Sequence, residues 1–286
     1  MQKTVVILNP SARSERAGGF NQKIQDLVTA SAVVRLTSGP GDARALAKLA
    51  VAEGFEQIVA AGGDGTVNEV VNGIAGSSAT LGILPLGTMN VFATELGLPK
   101  ALGECWKVIE AGATREIDLP EANGHAFVQV AGVGLDAQAL EATSWDFKRN
   151  LGPLSYLISA TQVAARKPPR LFADADGTPC EGSFVLIGNG RLYGGPFPVF
   201  PKAKIDDGLL EVLVFKNLGY LDIVRYLHAV FFGTHADLHD VEYFQAKRLS
   251  VSSDQDVPVE VDGEVIGNVP VTFWFHPRRL RVLMGQ

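Results

Sequence analysis

Five consecutive residues, Gly62-Gly63-Asp64-Gly65-Thr66, carry the strongest chemical signal in the chain. Glycines permit positive φ and let a ligand approach the backbone closely. The N–H groups exposed by such a loop, and by a helix that begins in it, hold phosphate oxygens. Thr66 adds a hydroxyl. Asp64 does not suit a pure phosphate cradle, because its charge repels phosphate. It fits if it orients a metal ion or a nucleophilic hydroxyl. The same five residues also make an ordinary capped turn, and the flanking elements decide between the two. The P-loop pattern Gly-x-x-x-x-Gly-Lys-Ser/Thr is absent. So is the Gly-x-Gly-x-x-Gly fingerprint at this position.

The elements around the loop are a predicted strand, Gln57–Ala61, and a predicted helix, Thr66–Ile74, whose Val67, Val70, Val71 and Ile74 fall at i, i+3, i+4 and i+7. Thr4–Leu8, Val33–Leu36 and Leu81–Leu84 read as further short buried strands, and helical patterns cover Gly18 to about Ala30 and a stretch from Asp42, with Asp42 as N-cap. Strands alternating with helices predict a parallel sheet with helices on both faces. Ligands in such sheets bind outside the carboxyl ends of the strands. That edge should present Asn9, Thr37, Gly62–Thr66 and the loop Pro85-Leu86-Gly87-Thr88-Met89-Asn90 to one crevice.

After about Leu119 the pattern changes to short strands with Gly/Pro turns: Ala126–Val130, Gly182–Ile187, Leu209–Phe215, Leu249–Val251, Val257–Val261 and Thr272–Phe275. Two helices interrupt them, Leu154–Ala165 and Leu221–Phe232. The expected fold class is α/β: a parallel three-layer domain over residues 1–122, then a mostly antiparallel β domain over 123–286 whose last residues pack back on the first. Pro120, Asn123 and Gly124 suit a linker turn between them.

Bulk properties exclude several classes. The 286 residues are 47% hydrophobic and 20% charged, which supports a sizeable core. A formal net charge of −6 speaks against a nucleic-acid partner. Two cysteines, Cys105 and Cys180, have neither disulfide-framework nor metal spacing and fit a reducing compartment. His235 and His239 would align on a helix, yet no third metal ligand accompanies them. No segment approaches the roughly 18 uninterrupted apolar residues of a membrane span. A cytoplasmic protein, at most peripheral to the inner membrane face, is expected.

Gly62-Gly63-Asp64-Gly65-Thr66-Val67-Asn68-Glu69-Val70 resembles the hallmark of the diacylglycerol kinase catalytic-domain family, which includes bacterial lipid kinases and sphingosine kinases and is more distantly related to NAD kinases and phosphofructokinases. Ile7-Leu8-Asn9-Pro10, Thr37 with Gly41-Asp42-Ala43, Leu81–Leu98, Gly132-Val133-Gly134-Leu135-Asp136-Ala137, Lys204–Leu209 and Val261-Asp262-Gly263-Glu264 resemble further family motifs in order. The resemblance implies a two-domain kinase with ATP in the interdomain cleft. It implies ATP contacts by Asn9, Thr37, Gly62, Gly63, Asp64, Gly65, Thr66, Val67, Asn68 and Thr88. Lys204, Asp207 and Leu209 would bind Mg2+, the first and last through carbonyls, and Asp206-Asp207-Gly208 supplies the hard oxygens that this ion prefers. Glu264 would be the proton acceptor, with Asp262 beside it and Asp64 competing for the role. By itself, Asp262-Gly263-Glu264 reads as a hairpin turn.

Three positions depart from the family pattern: Ser11-Ala12-Arg13 after Asn-Pro, Val91 where an Asp is usual, and Gln129 where an Asn is common. The lost acid bears on acceptor recognition more than on ATP. The implied acceptor is a lipid hydroxyl, of diacylglycerol or sphingoid type, met at a membrane surface. An NAD kinase-like phosphotransferase and a non-catalytic nucleotide or lipid sensor are the alternatives. Tyr193, Phe197, Val199, Phe200, Tyr226, Val230 and Phe231 are candidate acceptor lining. Trp145-Phe147-Lys148-Arg149 and Arg166-Lys167-Arg170 are candidate headgroup contacts. A homodimer is a further expectation.

Overall fold

The computed structural model describes residues 3–12, 24–28, 32–135 and 168–285. The expected helix Leu154–Ala165, the cluster Trp145–Arg149 and the residues Asp136, Ala137, Arg166 and Lys167 lie outside them. Of the expected helix Gly18–Ala30, residues 24–28 are described, and they are helical.

The chain divides into two compact units, residues 1–119 with 276–286, and residues 120–275. In the first, β1 (Thr4–Leu8), β2 (Ala32–Leu36), β3 (Gln57–Gly62) and β4 (Thr80–Pro85) pair in parallel in the order β2-β1-β3-β4. Every residue of β1, β3 and β4 is buried, as the apolar runs of a sheet covered on both faces require. The strand Leu280–Leu283 from the chain's end joins this sheet parallel to β4 and antiparallel to β5 (Thr114–Ile117).

Helices α1 (Asp42–Ala52) and α2 (Asp64–Ile74) pack on each other and on β1 and β3. They meet closely at Gly73, where a Cβ would lie 2.5 Å from that of Ala47 and 2.7 Å from the Arg44 carbonyl oxygen. After α3 (Val91–Glu95), α4 (Leu102–Ala111) covers a separate cluster with Val6, Leu8, Val59, Ala61 and Leu84 through Cys105, Trp106 and Ile109. The N-cap of α1 is Gly41 in a left-handed conformation, not Asp42. Asp42 is the first helical residue, and its carboxylate turns back to accept the amides of Ser38 (2.8 Å) and Gly39 (3.1 Å).

The second unit is antiparallel. Its strands are β6 (Pro120–Ala122), β7 (His125–Ala126), β8 (Val130–Val133), β9 (Leu171–Ala175), β10 (Thr178–Gly182), β11 (Phe184–Gly188), β12 (Leu192–Tyr193), β13 (Phe197–Pro198), β14 (Leu210–Phe215), β15 (Val241–Ala246), β16 (Leu249–Ser253), β17 (Pro258–Val261), β18 (Glu264–Asn268) and β19 (Val271–Phe275). They form two sheets, β10-β9-β16-β19-β6-β7 and β15-β14-β11-β8-β17-β18, and a small β12–β13 pair. The inward-facing residues of both large sheets, Leu171, Val251 and Phe273 against Val133, Val185, Val212 and Val259, share one core. The opposite face of the second sheet packs Phe184, Leu213 and Phe215 against Ile223 and Tyr226 of α5 (Tyr220–Phe232). The expected linker at Pro120–Gly124 is instead part of this unit. Pro120–Ala122 is a strand, and Asn123 (φ 50°) with Gly124 (φ 77°) makes the tight turn into β7.

Candidate active site

Four neighbouring parallel strands end side by side, and backbone bonds stitch their exits together. The Thr37 amide donates to Leu8 O (3.0 Å), the Asn9 amide to Ala61 O (2.9 Å), and the Leu86 amide to Gly62 O (2.8 Å). The Asn9 side-chain amide donates to Thr66 Oγ (3.1 Å). Asn9, Thr37, Gly62–Thr66 and the Gly87–Asn90 loop therefore occupy one continuous edge.

Two glycine positions fix the shape of that edge. A Cβ on Gly62 would collide with the Thr66 side chain, and one on Gly87 would lie 2.6 Å from the Gly63 Cα. The two loops thus touch backbone to backbone. Asn90 clamps the second loop from a left-handed conformation (φ 48°): it accepts from the Gly87 amide and donates to the Gly87 carbonyl, each at 2.8 Å. Helix α2 opens at Asp64, and the first-turn N–H groups of a helix have no intrahelical acceptor. The Asp64 carboxylate accepts the Phe92 amide (3.4 Å). Burial pushes its pKa up, and the amides of Phe92, Val91 and Asn90 oppose that shift. Asp64 therefore anchors the start of α3 to the Gly-rich loop.

The remaining expected nucleotide contacts differ in what they can offer. Thr88 is exposed, whereas Thr37, Thr66 and Asn68 are buried. Val67 gives its side chain to the core and its N–H to Gly63 O (3.1 Å), and its carbonyl lies within the hydrogen-bond ladder of α2, so it shapes the loop from the helix side.

Glu69 contributes from outside the expected site residues. Its carboxylate accepts the amides of Gly41 (2.9 Å), Ala43 (3.0 Å) and Arg44 (3.4 Å), so a residue of α2 caps the N-terminus of α1. The clue was present: Gly41 has no side chain with which to satisfy those donors.

In the second unit, Asp262 (φ 46°) and Gly263 (φ 87°) form the two-residue turn between β17 and β18. The Asp262 carboxylate accepts three amides, Val128 (2.7 Å), Gln129 (3.0 Å) and Val130 (3.0 Å). Its own N–H donates to Val130 O (2.8 Å). Asp262 thus pins the hairpin tip, and Glu264, the first residue of β18, stands exposed beside it. Buried Glu260 accepts the Gly263 amide (2.8 Å) from below. In the turn before β14, Asp207 accepts the Leu209 amide (3.1 Å), and Gly208 adopts φ 74°. Lys204 and Asp207 are exposed, Leu209 is half-buried, and one carboxylate with two carbonyls is a hard-oxygen donor set that suits Mg2+ when water completes the shell.

Two further groups of candidate residues lie elsewhere than a site would need. His235 is fully buried in a short 3-10 turn with Nε2 2.7 Å from Val199 O, while His239 lies beyond that turn and exposed, so the two do not align. No cluster of three His, Cys, Asp or Glu side chains suited to a metal occurs among the described residues. Of the apolar lining candidates, Val199, Phe200 and Tyr226 belong to the core under α5, and Tyr193 and Val230 pack against it. Only Phe197 and Phe231 are exposed. No described helix is long and apolar enough to cross a membrane.

Residues 3–122 match the diacylglycerol kinase catalytic domain model, and residues 129–284 match the YegS C-terminal NAD kinase beta sandwich-like domain. The diacylglycerol kinase of Bacillus subtilis (strain 168) is 29% identical over 295 residues, covering 100% of this chain and 97% of that protein. The diacylglycerol kinase of Staphylococcus aureus (strain MRSA252) is 30% identical over 284 residues, covering 94% of this chain and 88% of that protein. A crystal structure of a diacylglycerol kinase from Bacillus anthracis str. Sterne superposes with a TM-score of 0.82 at 26% identity, covering 99% of this chain and 97% of that one. A parallel α/β unit with a Gly-Gly-Asp-Gly-Thr loop at its carboxyl edge, an antiparallel β unit, and matches along nearly the whole length place the chain in the diacylglycerol kinase family of phosphotransferases with an alcohol acceptor.

Proposed function

We propose that this enzyme transfers the γ-phosphate of ATP to the hydroxyl of a diacylglycerol-like or sphingoid lipid. The observation that carries the proposal is the stitched carboxyl edge of the first unit, where Gly63 and Gly87 meet backbone to backbone beside the start of α2. Loop amides of Gly62–Thr66 hold phosphate oxygens, with Asn9, Thr37, Asn68 and Thr88 around the nucleotide. Asp64 keeps the two loops in register. Lys204 O, Asp207 and Leu209 O hold Mg2+, which supplies positive charge and order. Glu264 takes the proton of the acceptor hydroxyl as its oxygen bonds to the γ-phosphorus and the bond to the β-phosphate oxygen breaks, releasing ADP. Asp262 positions Glu264 by fixing the hairpin tip. The Bacillus and Staphylococcus relatives named diacylglycerol kinases support a lipid acceptor.

The test is purified protein with radiolabelled ATP and Mg2+ against diacylglycerol, monoacylglycerol, a sphingoid base, a polyprenol and NAD. Label is expected in the organic phase with one of the lipids. Label appearing only in NADP would assign the alternative acceptor. ATP binding with no transfer to any acceptor would make the protein a sensor.

A further inference from the structure

Gln129 uses its backbone and its side chain for different ends. It is buried just before β8, where the end of β11 and the end of β17 come alongside. Its N–H donates to the Asp262 carboxylate (3.0 Å), in the row of three amides that pins the hairpin of Glu264. Its carbonyl accepts the amides of Asn189 (2.9 Å) and Gly190 (3.3 Å). Its side chain goes further, and Nε2 donates to the carbonyl of Leu192 (3.0 Å), the first residue of β12. One residue therefore holds both the tip that presents Glu264 and the loop that carries β12 and β13.

The fit is particular to glutamine. The nearest atoms that a Cβ on Gly190 would meet are Nε2 and Oε1 of Gln129, both at 2.5 Å. Gly190 thus makes room for the longer amide. Asparagine, the common residue at this place in the family, would stop one methylene short of Leu192 O. Beyond that bond, β12 and β13 pair Leu192 with Pro198 and Tyr193 with Phe197. This ladder is apolar, with Phe197 exposed and Tyr193 half-buried. Apolar surface tied to a carboxylate tip suits a hydroxyl carried on hydrocarbon.

We propose that the Gln129 side chain is a positioning residue for the acceptor: it fixes the β12–β13 loop as a wall for the hydrocarbon of a lipid, at a set reach from Glu264. This rests on the kinase reading above, with Glu264 as base. A substitution at 129 keeps the backbone N–H on Asp262, so the base stays in place. The loss therefore falls on acceptor binding and not on the chemical step.

The experiment is steady-state kinetics with an acceptor lipid in detergent micelles. Gln129→Asn and Gln129→Met should each raise the KM for the lipid about 3–10-fold, the worth of one hydrogen bond. The kcat and the KM for ATP should stay near the wild-type values. Gly190→Ala reaches the same amide from the other side and should raise the lipid KM likewise. Combined with Gln129→Asn it should add little, because the shorter amide no longer meets the new methyl. Hydrogen exchange in Gln129→Asn should quicken over residues 191–198 and keep the wild-type rate over 258–265. An unchanged lipid KM overturns the proposal, whatever the exchange or the melting temperature does. A fall in kcat at constant lipid KM also overturns it, by making Gln129 a support of Glu264 alone. Should Gln129→Met fail to fold, Gln129→Asn and Gly190→Ala still decide. A wild type that phosphorylates no acceptor overturns the kinase reading and this inference with it, whereas wild-type transfer with an unchanged lipid KM in the variants overturns this inference alone.

Discussion

Two glutamates divide the labour at the residue scale. Glu264 is exposed at the tip of a hairpin whose neighbouring carboxylates, Asp262 and Glu260, are occupied by backbone amides. That leaves it as the base in the proposed reaction. Glu264→Gln removes the base and keeps the shape, so kcat should fall by about 10²–10⁴-fold. ATP affinity measured by calorimetry should stay at the wild-type value; full turnover in the variant would remove Glu264 from catalysis. Glu69 touches no reacting atom in this scheme and acts as a positioning residue. It ties α1, which follows the Thr37 turn, to α2, which begins in the Gly-rich loop. Glu69→Gln retains one acceptor oxygen and places an NH2 against N–H donors. Stability should drop by about 1 kcal/mol, the usual worth of a cap. The KM for ATP should also rise several-fold with kcat nearly unchanged. Lower stability with an unchanged KM would reduce Glu69 to a helix cap.

At the scale of elements, α5 is fastened to its sheet by Asp240, a buried carboxylate that accepts from Arg225 (2.9 Å), Tyr226 (2.7 Å) and Asn217 (2.8 Å). The Arg225 guanidinium holds the Asp240 carboxyl well below the usual carboxylate range, with burial opposing it and Tyr226 and Asn217 assisting. The folded-state pKa is therefore lower than the unfolded one. The contribution to stability is fully present above the ordinary carboxylate value of about 4 and is lost as pH falls through the depressed folded value. Urea melts should show the wild type losing stability more steeply than Asp240→Asn below about pH 4, with parallel behaviour from pH 5 to 7. Equal slopes in acid would contradict this linkage. Arg225→Met removes the countercharge of a buried carboxylate that keeps its bonds from Tyr226 and Asn217, and should lower the urea midpoint at neutral pH. Gly73 offers a second check. Alanine is intrinsically the better helix former by about 1 kcal/mol. The clash with Arg44 O and Ala47 should nevertheless make Gly73→Ala destabilising, read as a lower urea midpoint. These elements also mark what the sequence discloses. The strands β1, β3 and β4 were legible because a strand buried on both faces is a continuous apolar run, and the loop at Gly62 was legible because glycine has few reasons to repeat between a strand and a helix. The capping of α1 is not legible locally, because the side chain that caps it comes from Glu69, 28 residues after Gly41 in number and adjacent only in space. The boundary near 119–124 falls between Leu119 and Pro120, but Asn123-Gly124 turns β6 into β7 instead of linking the units, because Asn-Gly marks a hairpin turn and an inter-domain turn equally well. The engagement of Asp262 by the Val128–Val130 amides was invisible for the same reason, since those partners lie more than 130 positions away.

For the whole molecule, the decisive feature is that the chain returns to its first unit. Leu280–Leu283 sits between β4 and β5, and Leu280, Val282 and Leu283 are all buried. No local pattern in a four-residue apolar segment specifies which sheet it joins, because register and partner are set by tertiary packing. Removing residues 280–286 strips a central strand from the first sheet and leaves β5 without its neighbour. Three buried aliphatic side chains at roughly 1.5–3 kcal/mol each amount to much of a typical total stability of roughly 5–15 kcal/mol. The second unit retains every one of its strands in that truncation, since it ends at Phe275. The truncated chain is therefore expected to lose ATP binding and the melting transition of the first unit, while a cooperative melting transition of the second unit persists in calorimetry. A truncated protein that binds ATP with wild-type affinity would show that the returning strand is dispensable and that the first unit closes its sheet without it.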